Sequence, residues 1–482
     1  MMKTNQRKIG VILSYVVLIL NTLISILYTP ILTKYLGQSE YGLYSLIISI
    51  ITYLTVLDLG LGNAIIIYTS RLKATGDKEK EHKLHGMIFI INIILGFIAV
   101  LVGIILYLNV SKMFGHTMTI EEINKAKVLM LILIFNLAMT FSLNIFGNIV
   151  TAYEKFVFGK VMKIIQILLA PILSIPILLL GYKSIALVII VTLVNMFCLG
   201  LNTFYCLKEL KIKLKFKSFD KRLLIEVFKY SSLIFISEII SKINWSVDQF
   251  ILGAVVSTTA VAIYSVAAML NQAYLSFSTA ISSVLLPKIT RMEEKHATAE
   301  DFTKIFIKTG RIQYILIALI ITGFVLFGQN FIKLWVGTTY NDTYYIACIL
   351  MIPVTIPLIQ NTGLSILQAK NKYKFRTITY FFIALFNIIV SIPFAKIYGG
   401  IGVAIPTAVS LIVGNIIVMN IYYHRVIKID IIKFWREIIK MTIPIIFVFI
   451  LGIFINTTLH NDNLQIYFIK IGIYTLAYFA VS

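Results

Sequence analysis

From residue 9 onward the chain is one apolar stretch after another, each about twenty residues or longer, and lysine and arginine gather in every second gap between them. A helix needs about 20 apolar residues to cross the hydrocarbon core of a bilayer, where every backbone polar group must be satisfied internally. The pattern predicts an all-α integral membrane protein with almost no soluble part. Fourteen spans are expected, at about 9–33, 42–70, 86–110, 126–152, 161–181, 184–207, 228–253, 260–286, 312–330, 343–368, 377–397, 401–423, 441–459 and 464–482.

Orientation follows from the cations. With the N-terminus in the cytoplasm, the N-terminal tail and the gaps after even-numbered spans hold 32 of the 43 Lys+Arg, which is the positive-inside distribution with both termini cytoplasmic. The same segments hold 13 acidic residues, so 32 − 13 = 19 of the net +22 is topological and no nucleic-acid partner is required. Lys208, Lys211, Lys213, Lys215, Lys217, Lys221 and Arg222 form the densest cluster, placed to meet anionic membrane lipids. Lys163 and Lys470 lie near helix ends and are expected to snorkel. Cys198, Cys206 and Cys348 show neither pairing nor metal-ligand spacing and are expected to be free thiols. The first span lacks a following cleavage site and is expected to be retained; Ser482 ends the last span, leaving room for a cytoplasmic tail.

Local patterns recur at an offset of 216 to 220 residues. Leu36-Gly37 with Tyr44-Ser45 returns as Leu252-Gly253 with Tyr264-Ser265; Ala152, Lys155, Phe156 and Phe158 return as Ala369, Lys372, Tyr373 and Phe375. The offset equals six spans, so the repeats keep their orientation. The expected organisation is an N-lobe at 1–222 (spans 1–6), a pseudo-symmetric C-lobe at 223–440 (spans 7–12) and an appendix at 441–482 (spans 13–14), with the substrate site between the lobes.

Polar side chains are placed unevenly around the spans. At 100° per residue, Ser231, Glu238, Ser241, Lys242, Trp245 and Gln249 share one face of span 7, with Asp248 at its edge. Span 1 aligns Ser14, Asn21, Ser25 and Tyr28, and span 8 aligns Tyr264, Asn271, Ser278 and Ser282. A lipid-facing helix would not carry such stripes, because a charge near the bilayer centre costs about 2.5–3.5 kcal/mol or more. They are expected to face a water-filled central cavity. Glu238 and Lys242, four residues apart, either pair to stabilise the bundle or serve that cavity. Asp58, in LDLGLGNA, either binds a coupling ion or bonds to a neighbouring helix.

The gaps contain no Walker A pattern, no nucleophile elbow and no paired Cys/His spacing, and the outer gaps are too short for a catalytic domain. A transporter without cofactor is expected, not an enzyme.

The segments TPILTKYLGQSEYGLYSLI (29–47), LDLGLGNAII (57–66), DQFILGAVVSTTAVAIYSVAAML (248–270), VLLPKITRM (284–292) and FIKLWVGTTY (331–340) resemble the polysaccharide-transporter branch of the multidrug/oligosaccharidyl-lipid/polysaccharide exporter superfamily, in particular Wzx-type O-antigen flippases. The resemblance runs through essentially the whole chain. It implies a MATE-like fold of two six-helix lobes and two further helices in a bacterial cytoplasmic membrane. It also implies transfer of an undecaprenyl-pyrophosphate-linked O-antigen or capsule repeat unit to the outer leaflet, with a polysaccharide polymerase and a chain-length regulator as partners. By position, Lys242 would meet the pyrophosphate, with Arg71, Lys34 and Arg311 as further cations and Asn21, Asn271, Trp245 and Gln249 lining the cavity. Asp58, Glu238 and Asp248 would couple to H+ or Na+. Two alternatives stand beside this expectation: a multidrug or metabolite cation antiporter of the MATE type, and a flippase for the lipid precursor of peptidoglycan.

Overall fold

The computed structural model describes residues 2–216, 221–283, 285–370, 372–458 and 464–481, and among these the chain is helical with no strand. It gathers into two compact units, Met1–Ala262 and Ile263–Ser482.

The first unit contains α1 (Met2–Leu36), α2 (Gln38–Leu54), α3 (Leu61–Thr75), α4 (Lys78–Phe114), α5 (Ile120–Ala152), α6 (Phe156–Leu179), α7 (Ser184–Phe204) and α8 (Lys221–Val255). Within it α5 packs along α4 and α7, α1 along α6, and α8 against α2 and α3. Helix starts follow local chemistry. Asp77 accepts from the Lys80 amide at the head of α4, and Thr119 and Glu122 form a reciprocal capping box at the head of α5. The helix that carries predicted span 7, assigned by the repeat to the second half, is packed in the first unit.

Predicted span 2 is not continuous. α2 ends at Leu54, a 3-10 turn covers Thr55–Asp58, and Leu59 (φ 53°) and Gly60 (φ 72°) are both left-handed before α3 resumes. The segment LDLGLG breaks the helix because two consecutive left-handed residues end the i→i−4 ladder, and glycine adopts that region without steric cost. Interrupted helices are tolerated at membrane depth only where protein or a cavity satisfies the freed backbone.

The second unit holds most of α9 (Thr258–Ser283), then α10 (Leu286–Glu294), α11 (Ala299–Trp335), α12 (Asp342–Ile359), α13 (Thr362–Ala369), α14 (Tyr373–Leu411), α15 (Met419–Tyr422), α16 (Ile431–Thr458) and α17 (Leu464–Val481). α11 packs on α12 and α16, and α17 on α16 and α11. The seat of α17 is a tyrosine stripe. Tyr467 donates to the Phe327 carbonyl (3.1 Å), Tyr474 to Thr322 (2.7 Å) and Tyr478 to the Ile315 carbonyl (2.8 Å). Lys470 belongs to this buried face. Instead of snorkelling it is fully buried and donates to the Asn456 carbonyl (3.4 Å), because the tyrosines on either side of it turn that face inward.

Eleven helical stretches among the described residues are long and apolar enough to cross a membrane. One of them, Tyr373–Ile427, contains the backbone break at Gly399 (φ 57°, ψ −132°), between predicted spans 11 and 12. Predicted spans 7 and 14 fall on α8 and α17, outside those eleven. Phe97, Leu108, Ile389 and Phe447 stand more than 60 % exposed, which suits a lipid surround and not water. The chain is a multi-pass membrane protein.

The offset of 217 also appears in local structure, in each unit separately. Phe158 stacks on Tyr205 (3.9 Å, 13°), and Phe375, 217 residues later, stacks on Tyr422 (4.1 Å, 9°), 217 after Tyr205. The amide of Lys155 bonds the Val150 carbonyl as that of Lys372 bonds Leu367. Lys211 and Lys428 are both left-handed, each just after a π-helical turn.

Candidate functional site: a lysine-lined cavity in the first unit

Where α1, α5, α6 and α7 meet, a cavity of about 1000 Å³ opens. α1 contributes Gly10, Val11, Ser14 and Val17; α5 contributes Asn144, Gly147, Asn148 and Thr151; α7 contributes Asn202. Glu154 and Lys155, in the turn that ends α5, complete the wall with Phe156, Gly159, Lys160 and Lys163 of α6. The crossing of α1 over α6 is close: a Cβ on Gly10 would stand 2.7 Å from the Phe156 Cβ.

Three lysines on one wall define the electrostatics, and among the described residues Glu154 is the one carboxylate lining the cavity. The side chains of Lys155 and Lys160 form no hydrogen bond or ion pair among the described residues. Lys163, expected to snorkel, is exposed and starts a polar relay through the helices. Its Nζ donates to Gln166 Oε1 (3.0 Å), Gln166 Nε2 to Asn195 Oδ1 (3.2 Å), and Asn195 Nδ2 to Asn136 Oδ1 (2.6 Å) and Thr140 Oγ1 (2.8 Å). Polar groups at this depth are costly unless they bond to one another or to a ligand. An unpaired cationic wall with amides and hydroxyls opposite suits an anion bearing many hydrogen-bonding groups. It does not suit an organic cation.

The α5 stripe was missed at the level of sequence although its signal is plain. Asn136, Thr140, Asn144, Asn148 and Thr151 recur at spacings of four and three and therefore share one helix face.

The predicted site residues are scattered in part. Ser14 of the span 1 stripe lines the cavity, while Asn21, about two turns further along α1, is exposed. Lys34, in the last turn of α1, and Arg71, near the end of α3, are exposed beside Tyr35 and Tyr68. Asp58 is half-buried at the helix break. Asp248 is 2 % exposed on α8, within electrostatic reach of Tyr53 on α2; Gln249 beside it is half-buried. The side chains of Glu238, Lys242 and Trp245 lie outside the described residues.

In the second unit the stripe on α9 does not face open space. Ser278 is buried, donates to the Leu358 carbonyl (2.8 Å) and receives Asn361 (3.3 Å), while Asn271 is 2 % exposed. Arg311 pairs with Glu437 of α16 (3.5 Å).

Comparison with known proteins places this geometry. The family described as "Polysaccharide biosynthesis protein" matches residues 8–293, more than half of the 482-residue chain. No curated protein sequence matches. Among solved structures, one described as "Lipid II flippase MurJ, inward closed conformation" aligns with a TM-score of 0.74 and 19 % identity over 98 % of this chain and 97 % of that one. An inward-facing multidrug resistance MATE family transporter of the MOP superfamily aligns at 0.66 and 15 % identity, over 84 % and 96 %. A MOP superfamily transporter from Pyrococcus furiosus aligns at 0.58 and 16 %, over 85 % and 93 %. At these identities the structural likeness speaks for the fold. The family match over residues 8–293 leads to one conclusion: the chain belongs to the family described as polysaccharide biosynthesis protein.

Proposed function

We propose that this protein is a flippase that carries a polyprenyl-pyrophosphate-linked oligosaccharide repeat unit, of O-antigen or capsule type, from the inner to the outer leaflet of a bacterial cytoplasmic membrane, with both termini in the cytoplasm. The observation that supports this most is the cationic cavity: two lysines unpaired among the described residues, a third in a polar relay, and five asparagine and hydroxyl-bearing side chains within reach of the same space. Lysine meets a phosphate as a charge-assisted donor, and amides and hydroxyls suit a sugar. On the same account Lys242 meets the headgroup during passage, and Asp58, Glu238 and Asp248 carry the coupling ion, H+ or Na+. A polymerase and a chain-length regulator would receive the exported unit.

A flippase for the peptidoglycan precursor is the second reading, favoured by the likeness over 98 % of the chain to a structure named as a lipid II flippase. Its lipid-linked pyrophosphate is the same, and the cargo beyond it differs. Deleting the gene in its host tests the choice. Loss of surface polysaccharide with accumulation of lipid-linked units, reversed by a plasmid copy, is expected. Normal surface polysaccharide combined with rescue of a strain depleted of its lipid II flippase would replace the first reading with the second.

A further inference from the structure

On the second unit, away from the lysine cavity, α10, α11 and α16 form two adjoining clefts that share Lys304 and Lys308. The larger, about 510 Å³, is lined by Lys304, Lys308 and Arg311 of α11 and by Lys433 and Glu437 of α16; the smaller, about 390 Å³, adds Lys288 and Lys295. Six cations face three carboxylates here, and the carboxylates are engaged. Glu300 pairs with Lys304 (3.0 Å), Glu437 with Arg311 (3.5 Å) and Lys440 (2.7 Å), and Asp301 closes the capping box of α11. The side chains of Lys288, Lys295, Lys308 and Lys433 have no bonding partner among the described residues. Lys308 and Lys433 therefore present ammonium groups to the larger cleft, and Lys308 shares the smaller one with Lys288 and Lys295.

Both helices change character at the same level. Beyond Lys308 and Arg311 the larger cleft continues over Ile312 and Ile315 of α11, and beyond Lys433 and Glu437 over Met441 of α16. Ile312 is 48 % exposed. A charged cradle that runs into an apolar trough matches an amphiphile lying along the helices, with its phosphate at the lysines and its chains on the isoleucines. A soluble anion would leave the trough unused. We propose that this cleft binds an anionic phospholipid of the leaflet on the basic side of the helices, its phosphodiester held between Lys308 and Lys433. The occupant is separate from the translocated lipid.

Purified full-length protein in phosphatidylcholine nanodiscs holding a minor share of phosphatidylglycerol tests this, by counting co-purified lipids by mass spectrometry. The wild type is expected to retain phosphatidylglycerol above its share of the disc. Because the side chains of Lys308 and Lys433 form no hydrogen bond or ion pair among the described residues, Lys308→Gln with Lys433→Gln should fold normally. A lysine near an anionic lipid surface is worth about five-fold in binding, so the pair should lower the enrichment by up to about twenty-five-fold. Lys308→Glu should bring it below the bulk share. A control variant with the exposed Lys333 and Lys396 changed to Gln should keep it. The proposal is overturned if the double variant retains the lipid, if the control loses it equally, or if millimolar inorganic phosphate removes it from the wild type.

Discussion

Changing Lys155, Lys160 and Lys163 together to glutamine separates a headgroup-binding cavity from a merely polar one. Lys155 and Lys160 make no internal ion pair, so their loss strands no carboxylate, and the amide of a glutamine at 163 can still meet Gln166, which stays bonded to Asn195. Folding should be nearly untouched. Binding should not be. A hydrogen bond to a charged group contributes about 1.5–3 kcal/mol net, and two such contacts to a pyrophosphate give about 3–6 kcal/mol. That corresponds to about 10²- to 10⁴-fold in affinity. The assay is titration of a polyprenyl-pyrophosphate-linked saccharide against the purified protein in nanodiscs, with thermal melting as the folding control. Arginine at the same three positions should keep most of the affinity, since it preserves charge. An affinity within about threefold of wild type, with melting unchanged, would remove the lysine wall from the headgroup site.

Three further outcomes follow from packing and topology. A Cβ on Gly42 would lie 1.8 Å from the Thr258 carbonyl oxygen, a backbone atom that cannot rotate away, so Gly42→Ala should cost about 1–3 kcal/mol and lower the yield of monodisperse protein on size-exclusion chromatography. Glu40 accepts from the Ser184 amide (3.0 Å) and hydroxyl (2.7 Å) and from Lys125 (3.3 Å), so Glu40→Ala should destabilise by about 2–4 kcal/mol, read as a lower melting temperature in the membrane extract. A cysteine at Lys215, whose amide donates to the His82 carbonyl (3.1 Å), should be shielded from impermeant thiol reagents in intact cells and labelled in inverted vesicles; labelling in intact cells would reverse the topology.

The helical membrane fold was legible because apolar length and cation placement are one-dimensional properties. The duplication was legible too, through Ala152, Lys155 and Phe158 and their partners at 217. Its sharpest structural sign, the Phe158–Tyr205 stack and its copy at Phe375–Tyr422, depends on π-helical turns that no periodicity announces. In LDLGLG the sequence showed an acid and two glycines, and the residue pattern pointed to a site at Asp58 without revealing that the helix stops there. The cavity was the chief omission. Lysines near helix ends usually snorkel, which draws attention away from the cavity that Lys163 lines, and the asparagines and threonines of α5 form a stripe only when set on one helix face. Lys470 misled in the same way, since only packing shows that Tyr467 and Tyr474 turn it inward. Conversely, the α9 stripe was read as cavity lining because a polar helix face cannot distinguish water from partners such as the Leu358 carbonyl.

Translocation itself can be measured directly. The purified protein is reconstituted into liposomes with a fluorescent polyprenyl-pyrophosphate oligosaccharide, and the fraction shielded from a membrane-impermeant quencher is followed over time. Protein-dependent exchange of the label between leaflets, absent from empty liposomes and strongly slowed in the triple lysine-to-glutamine variant, is the predicted result. Liposomes that show no exchange of the lipid, yet carry out proton- or sodium-driven uptake of an organic cation, would contradict the account.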